Sequence, residues 1–300
     1  IDQTGPPIRR AKRITMTQLL AVEWDAGQAR LAVASMRGNR VLIEHAFAVP
    51  LRVAGPEGEL TEVEPGPQIA SALAQHGVGK IDTLVAVGRS SIELRHLTLP
   101  AVPDEELPGA VRFEAMREFN ELEDDWSLDF IPIGEAGQTQ RSVLAAAISP
   151  ELIEQIRRTC QAAGLRPKRL VLRPCAVASL YNRAQLAAPA GMCLLVDLLG
   201  DEADLTVVFG QQVVFLRTAR LSGDPLEGQE HAQSLIAEVR RTITAAQNQL
   251  VGQRVESIVL LGVGAEHNAL AQALQAALDR PTTVFDPLAG LELGSAVRGA

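Results

Sequence analysis

Three largely apolar segments are the first strong signal along the chain: 19–25 (LLAVEWD), 30–36 (RLAVASM) and 40–49. Ala26-Gly27-Gln28 and Gly38-Asn39 separate them. Strands joined by turns this short form an antiparallel meander. Residues 54–67 are rich in Gly, Pro and Glu and read as loop, and 68–76 as a short helix. The apolar run 81–87 has the composition of a buried parallel strand. A strand over 92–99 leads to a helix from Pro103 to about Asn120, with Asp104, Glu105 and Glu106 in its first turn and Leu107, Val111, Ala115 and Phe119 on one face. Strands follow at 127–133 and 142–149 around a turn at 134–139. A helix over 151–163 is closed by Gly164, then come a strand at 168–172 and a helix at 174–187.

The opening pattern then returns. Residues 192–197 form a strand ending in Asp, and 205–209 with 212–217 make a hairpin around Gly210-Gln211. A long helix runs over 227–250, with Leu235, Val239, Ile243, Ala246 and Leu250 at helical spacing. A strand at 257–261, a turn at Gly262–Gly264, a helix at 266–278 and a strand at 282–285 complete the plan, and no closing helix is evident after that. Each half runs strand, Asp, turn, antiparallel strands, helices, buried strand. Asp25 and Asp197 hold equivalent places in this reading, so an internal duplication is the economical description. Two such lobes would face each other across a cleft.

Composition narrows the function. With 28 Lys and Arg against 36 Asp and Glu the net charge is −8, and only 3% of residues are aromatic. An acidic chain poor in stacking platforms is not a general nucleic-acid binder. Cys160, Cys175 and Cys193 form no CxxC pair and read as reduced core thiols. No uncharged run, 184–196 between Arg183 and Asp197 included, reaches the roughly 20 residues a membrane helix needs. Residues 1–15 carry Arg9, Arg10, Lys12 and Arg13 and read as a flexible leader.

Three turns carry candidate chemistry. In Asp25-Ala26-Gly27 the carboxylate can hold Mg through water, and the glycine lets backbone approach a phosphate. Asp and Gly also suit turns for their own sake, which makes Asp25 and Asp197 turn caps in the plainer reading. Asp197-Leu198-Leu199-Gly200 is the second turn. Gly262-Val263-Gly264 runs from strand to helix, where it can lie against a purine or a phosphate, or simply pack helix on strand.

In this order and spacing the three turns resemble the two phosphate motifs and the adenosine motif of the actin and sugar-kinase superfamily. The segment from Pro103 (PDEELPGAVRFEA) through Asp129 resembles the insert of PilM, the actin-like protein of type IV pilus assembly. The stretch 144–149, and then CQAAGLRPKRL from Cys160 through Pro174-Cys175-Ala176-Val177-Ala178, resembles that family's passage into its second lobe. The cytoplasmic domain of the type II secretion protein GspL is a related form. The resemblance covers roughly residues 17–288. It implies an α/β, actin-like, ribonuclease H-like duplicated fold: lobe I over 16–172 with a small α+β insert at 101–149, and lobe II over 173–300. It further implies a cytoplasmic protein, peripheral at the inner membrane, that docks on the cytoplasmic tail of a membrane-anchored PilN-like partner. A groove between the insert and the rest of lobe I is the expected partner site. The resemblance is compatible with self-association.

By the same resemblance, ATP and Mg would be held by Asp25, Gly27, Arg30, Asp197, Gly200, Gly262 and Gly264, with Asp25 and Asp197 on the metal. The sequence departs from that pattern. Gln28, Ala29 and Arg30, then Ala32, stand where the first turn carries hydroxyl donors and a Lys, although Arg30 can still reach a phosphate. Leu199 stands where the second turn carries Gly, and Asp201 and Glu202 replace hydroxyls. A branched side chain at Leu199 blocks close backbone approach. Two carboxylates beside a triphosphate cost roughly a few kcal/mol each at an effective dielectric near 20. No residue stands out as a general base. The expectation is a scaffold with a degenerate nucleotide cleft and weak or absent hydrolysis. The alternative is an active Mg-ATP-dependent ATPase or a sugar-kinase-type phosphotransferase. Trp126 is expected to anchor the insert, Arg240 and Arg241 to face solvent, and His267 to lie on a helix surface.

Overall fold

Alternation of period two puts Leu20 and Val22 of β1 (Thr17–Trp24) and Ala29, Leu31 and Val33 of β2 (Gln28–Arg37) in the core. With β3 (Arg40–Pro50) they form the expected antiparallel meander. The structure is a computed structural model and describes residues 17–37, 40–54, 60–119, 122–133, 139–184, 191–250 and 252–298. The 1–15 leader, the Gly38-Asn39 turn and most of the 134–139 turn lie outside the described residues.

The stretch read as loop over 54–67 contains structure. β4 (Arg52–Ala54) and β5 (Leu60–Glu62) pair antiparallel, with Arg52 and Glu62 3.4 Å apart across the ribbon. α1 (Pro65–Gln75) starts three residues before the expected helix, because proline suits a first turn that needs no N–H from it. β6 (Asp82–Val87) runs parallel to β1 as expected. β7 (Glu93–Pro100) precedes α2 (Leu107–Glu118). That helix begins later than Pro103, and Asp104, Glu105 and Glu106 precede it. Pro108 decides the start, since it is tolerated only in a first turn.

β8 (Ser127–Ile133) and β9 (Gln140–Ile148) join β7 in a three-stranded antiparallel sheet of order β7-β9-β8. α2 covers this sheet, packing Leu107, Val111, Ala115 and Phe119 on Leu97, Leu99, Val143 and Ala145. α3 (Pro150–Ala162) ends before Gly164, whose φ of 69° suits a residue without Cβ. β10 (Arg166–Leu172) and α4 (Arg173–Ala184) follow.

The second core is built from β11 (Met192–Leu198), β12 (Glu202–Phe209), β13 (Gln212–Arg220), α5 (Gln229–Gln249), β14 (Val255–Leu261), α6 (Ala265–Leu278) and β15 (Thr282–Phe285). The run Met192–Val196 is buried throughout because both faces of β11 are covered. Met192, Leu194 and Val196 share a cluster with Leu235 and Val239 of α5 and Leu270 of α6. Cys193 and Leu195 share another with Leu94, Leu144 and Tyr181. A strand covered on both sides reads as continuous apolar sequence rather than alternation.

Sheet topology makes the duplication visible. Read from the third strand, one sheet has the order β3-β2-β1-β6-β10 and the other β13-β12-β11-β14-β15. In both, the first strand is antiparallel to the second and parallel to the one on its other side. The first sheet gains β16 (Glu292–Leu293), parallel to β3, and α7 (Ser295–Arg298) follows it. β16 thus adds to the first sheet in a stretch where the sequence shows no further element. Pieces of two and four residues are too short to carry a periodic signal.

The described residues divide into two compact units. One takes the segments up to residue 85, 161–169 and from 291 on. The other takes 86–160 and 170–290, and so holds both the three-stranded sheet and the second core. Cys160 and Cys193 are buried and Cys175 is half-buried. All three are free thiols, and burial raises their pKa, that of Cys175 to about 11.

Candidate functional site

The first candidate turn closes on itself. Asp25 N–H donates to the Gln28 carbonyl at 3.0 Å, and Gly27 N and Gln28 N donate to Asp25 Oδ1 at 2.7 and 2.9 Å. Arg30 Nη1 lies 3.1 Å from Asp25 Oδ2 and 3.0 Å from Glu23 Oε1. Burial alone would raise the Asp25 pKa. The Gln28 and Gly27 amides and the Arg30 guanidinium outweigh it and hold the carboxyl below its ordinary value. The structure therefore brings Asp25, Gly27 and Arg30 together, but the two amides that would cradle a phosphate serve the Asp25 carboxylate. That donor set suits a turn cap better than a metal and phosphate site.

The second turn has a different register from the one the spacing suggests. In the first hairpin Glu23 pairs with Arg30 and Asp25 opens the four-residue turn. In the second, Asp197 pairs with Asp204 and Leu199 opens the turn, donating to the Glu202 carbonyl at 2.8 Å. By hydrogen-bond pattern Asp197 takes the place of Glu23, and Leu199 that of Asp25. The equivalence of Asp25 with Asp197 that the spacing suggests is thus off by two residues, which keeps the face and hides the slip from periodicity. Gly200 has φ of 80° and open space around it.

The third turn follows β14, whose Leu260 lies beside Val196 of the parallel β11. Asp197, Gly200, Gly262 and Gly264 therefore leave the sheet at one edge, the carboxyl ends of two neighbouring parallel strands. Ligands of open α/β sheets gather at such edges. Gly262 (φ 145°) and Gly264 (φ 94°) both use glycine's backbone freedom. A Cβ at Gly262 would stand 2.0 Å from the His267 ring, so His267 packs beneath the turn rather than on an open helix surface.

Sequence reasoning missed a buried ion pair at this edge. Arg173 donates through Nε and Nη2 to one oxygen of Asp204 at 3.0 and 2.8 Å, and Thr218 Oγ1 donates to the other at 2.5 Å. Asp204 is 2% exposed. The three come from α4, β12 and β13, and no local spacing links them.

The same unit carries a groove of about 280 Å³. Leu128 of β8, Ile148 of β9, Ile153 of α3 and Leu170 and Leu172 of β10 line it, and the exposed Asp129 is its charged residue. β8 is the end strand of its sheet. Trp126 packs on the core beneath α2, as expected of an anchor. Arg240 and Arg241 are exposed, and they reach the Ala277 carbonyl and Glu238. Among the described residues no group of three or more acidic, His or Cys side chains is placed to hold a metal, and no helix is long and apolar enough to cross a membrane.

No protein-family model and no curated protein sequence matches the chain. Solved structures do. A chain of the PilM-PilN type IV pilus biogenesis complex is similar with TM-score 0.70 and 24% identity, covering 93% of this chain and 91% of that one. The cytoplasmic domain of EpsL, an inner-membrane component of the type II secretion system of Vibrio cholerae, is similar with TM-score 0.50 and 15% identity, covering 91% and 99%. With the repeated sheet order, these likenesses establish that the chain has the actin-like α/β fold, in the form shared with the PilM-PilN complex and cytoplasmic EpsL structures.

Proposed function

We propose that the chain is a scaffold of a type IV pilus or type II secretion platform, cytoplasmic and peripheral to the inner membrane. It docks the short cytoplasmic tail of a membrane-anchored, PilN-like protein, and its nucleotide cleft is degenerate. The groove beside β8 is the observation that carries this reading. An extended apolar segment can add to the open edge of β8 and seat alternate side chains against Ile148, Ile153 and Leu170. A cationic residue on that segment would meet Asp129.

The turns support the degenerate cleft. Asp25 is occupied by its own turn, Leu199 stands where Asp25 stands in the first hairpin, and Asp197 faces Asp204. One observation favours the second reading, an Mg-ATP-dependent ATPase or phosphotransferase. Gly262 and Gly264 keep a bare backbone at the sheet edge beside Asp197.

The test is fluorescence anisotropy with a labelled peptide of the cytoplasmic tail of the membrane-anchored protein encoded beside this chain. Micromolar binding that weakens at least about tenfold in Leu170→Asp, at a groove position 37% exposed, with the melting temperature kept, supports the scaffold. Absence of binding to the wild type refutes it.

A further inference from the structure

α2 has apolar side chains on two sides. Leu107, Val111 and Ala115 face the three-stranded sheet. On the opposite side Gly109, Phe113 and Met116 fall at i, i+4 and i+7, which is one stripe of a helix. Phe113 is 69% exposed and Met116 40% exposed, and nothing lies within 4 Å of a Cβ built at Gly109. A soluble helix normally turns its second face to water with polar residues, so a helix apolar on both sides is shaped to be covered twice. Among the described residues the fold covers it once.

Charge around the stripe decides what the second cover is. Exposed Glu105 and Glu106 lie at the amino end of α2, beside Asp104, which pairs with Arg141 at 2.5 Å, and exposed Glu118 lies at its carboxyl end. Arg112, three residues from Gly109, donates to the carbonyls of Asp124 at 2.5 Å and of Glu123 and Trp126. It thereby binds the exposed acidic loop of Glu123, Asp124 and Asp125 to the flank of the helix. The exposed cation on α2 is Arg117, already 3.0 Å from Glu114. A second copy of this chain would bring the same acids against each other across a two-fold contact.

We propose that the Gly109–Phe113–Met116 face of α2 is a second docking surface, distinct from the groove beside β8, and that its partner is a basic amphipathic helix. That helix lays apolar anchors at i, i+3/i+4 and i+7 over Phe113 and Met116 and crosses closely at Gly109. Its Lys and Arg flanks meet the acidic rim. Phe113 is the central anchor. This surface stands whether or not the groove binds a tail.

The test titrates three synthetic peptides against the full chain: a helix with a Leu stripe flanked by Lys and Arg, the same stripe flanked by Glu, and a scrambled peptide of the first composition. The proposal expects the striped basic helix to bind at least about tenfold more tightly than the other two, and more weakly as salt rises. Phe113→Ser and Met116→Ser should each remove that preference, while far-UV circular dichroism, melting temperature and binding in the β8 groove stay as in the wild type. Equal binding of the scrambled peptide, or binding indifferent to Phe113→Ser, overturns it. A concentration-dependent dimer in sedimentation that Phe113→Ser abolishes also overturns it, by making a second copy the occupant.

Discussion

Arg173 sets two guanidinium nitrogens on a single oxygen of Asp204, 3.0 and 2.8 Å away, while Asp197 pairs with Asp204 across the hairpin. Like charges facing each other across strands destabilise a sheet, and Arg173 compensates. Removing it takes two guanidinium donors from a carboxylate that is 2% exposed. Arg173→Ala should lower stability by about 3–5 kcal/mol, the range for breaking a buried pair, as read by urea unfolding at neutral pH. Arg173→Ala combined with Asp204→Asn should recover much of that loss. Additive losses would contradict the pairing.

Asp25 predicts a pH effect. Its folded-state pKa lies below the unfolded value, because the Gln28 and Gly27 amides and Arg30 together outweigh burial. The stabilisation is therefore present above the unfolded pKa of about 3.9 and is lost as pH falls through the folded value. Half of the side chain is exposed, so the effect is small. Asp25→Asn should cost about 1 kcal/mol at pH 7, and the gap to wild type should close on acidification below pH 4. A gap that widens in acid would contradict the assignment.

Gly262 and His267 should couple. Gly262→Ala puts a Cβ 2.0 Å from the His267 ring at a φ of 145°, where L residues are strained. About 1–3 kcal/mol of destabilisation is expected. In the His267→Ala background the clash goes and only backbone strain stays, so the cost of Gly262→Ala should fall. Chemical unfolding of the four chains of the cycle measures it, and additivity would remove His267 from beneath the turn.

Most elements were legible because their periods are long. The three strands up to Pro50, the stripe through Leu235, Val239 and Ile243, and the return of the strand–Asp pattern at Asp197 follow from apolar spacing. What stayed hidden has short range or no local signature. The β4–β5 ribbon and β16 are two or three residues long. The start of α2 was set by Pro108 and not by the acids before it. Register was the deeper failure. A slip of two residues preserves which side chains face inward, so Asp197 looked like Asp25 when its hydrogen-bond place is that of Glu23. The Arg173–Asp204 pair and the β8 groove join residues far apart in the chain, and only the folded sheet brings them together. The spacing of Phe113 and Met116 is visible in the sequence, but the inward face of α2 already accounts for an apolar stripe on that helix.

One calorimetric titration tests the central claim most directly: the partner's cytoplasmic tail added to the full chain, once alone and once with millimolar Mg-ATP, with Mg-ATP itself titrated as the reference. The account predicts micromolar tail binding of equal affinity in both arms and no Mg-ATP heat corresponding to a Kd below about 1 mM. Low-micromolar Mg-ATP binding that Asp197→Ala abolishes, or a tail that binds only when Mg-ATP is present, would contradict it.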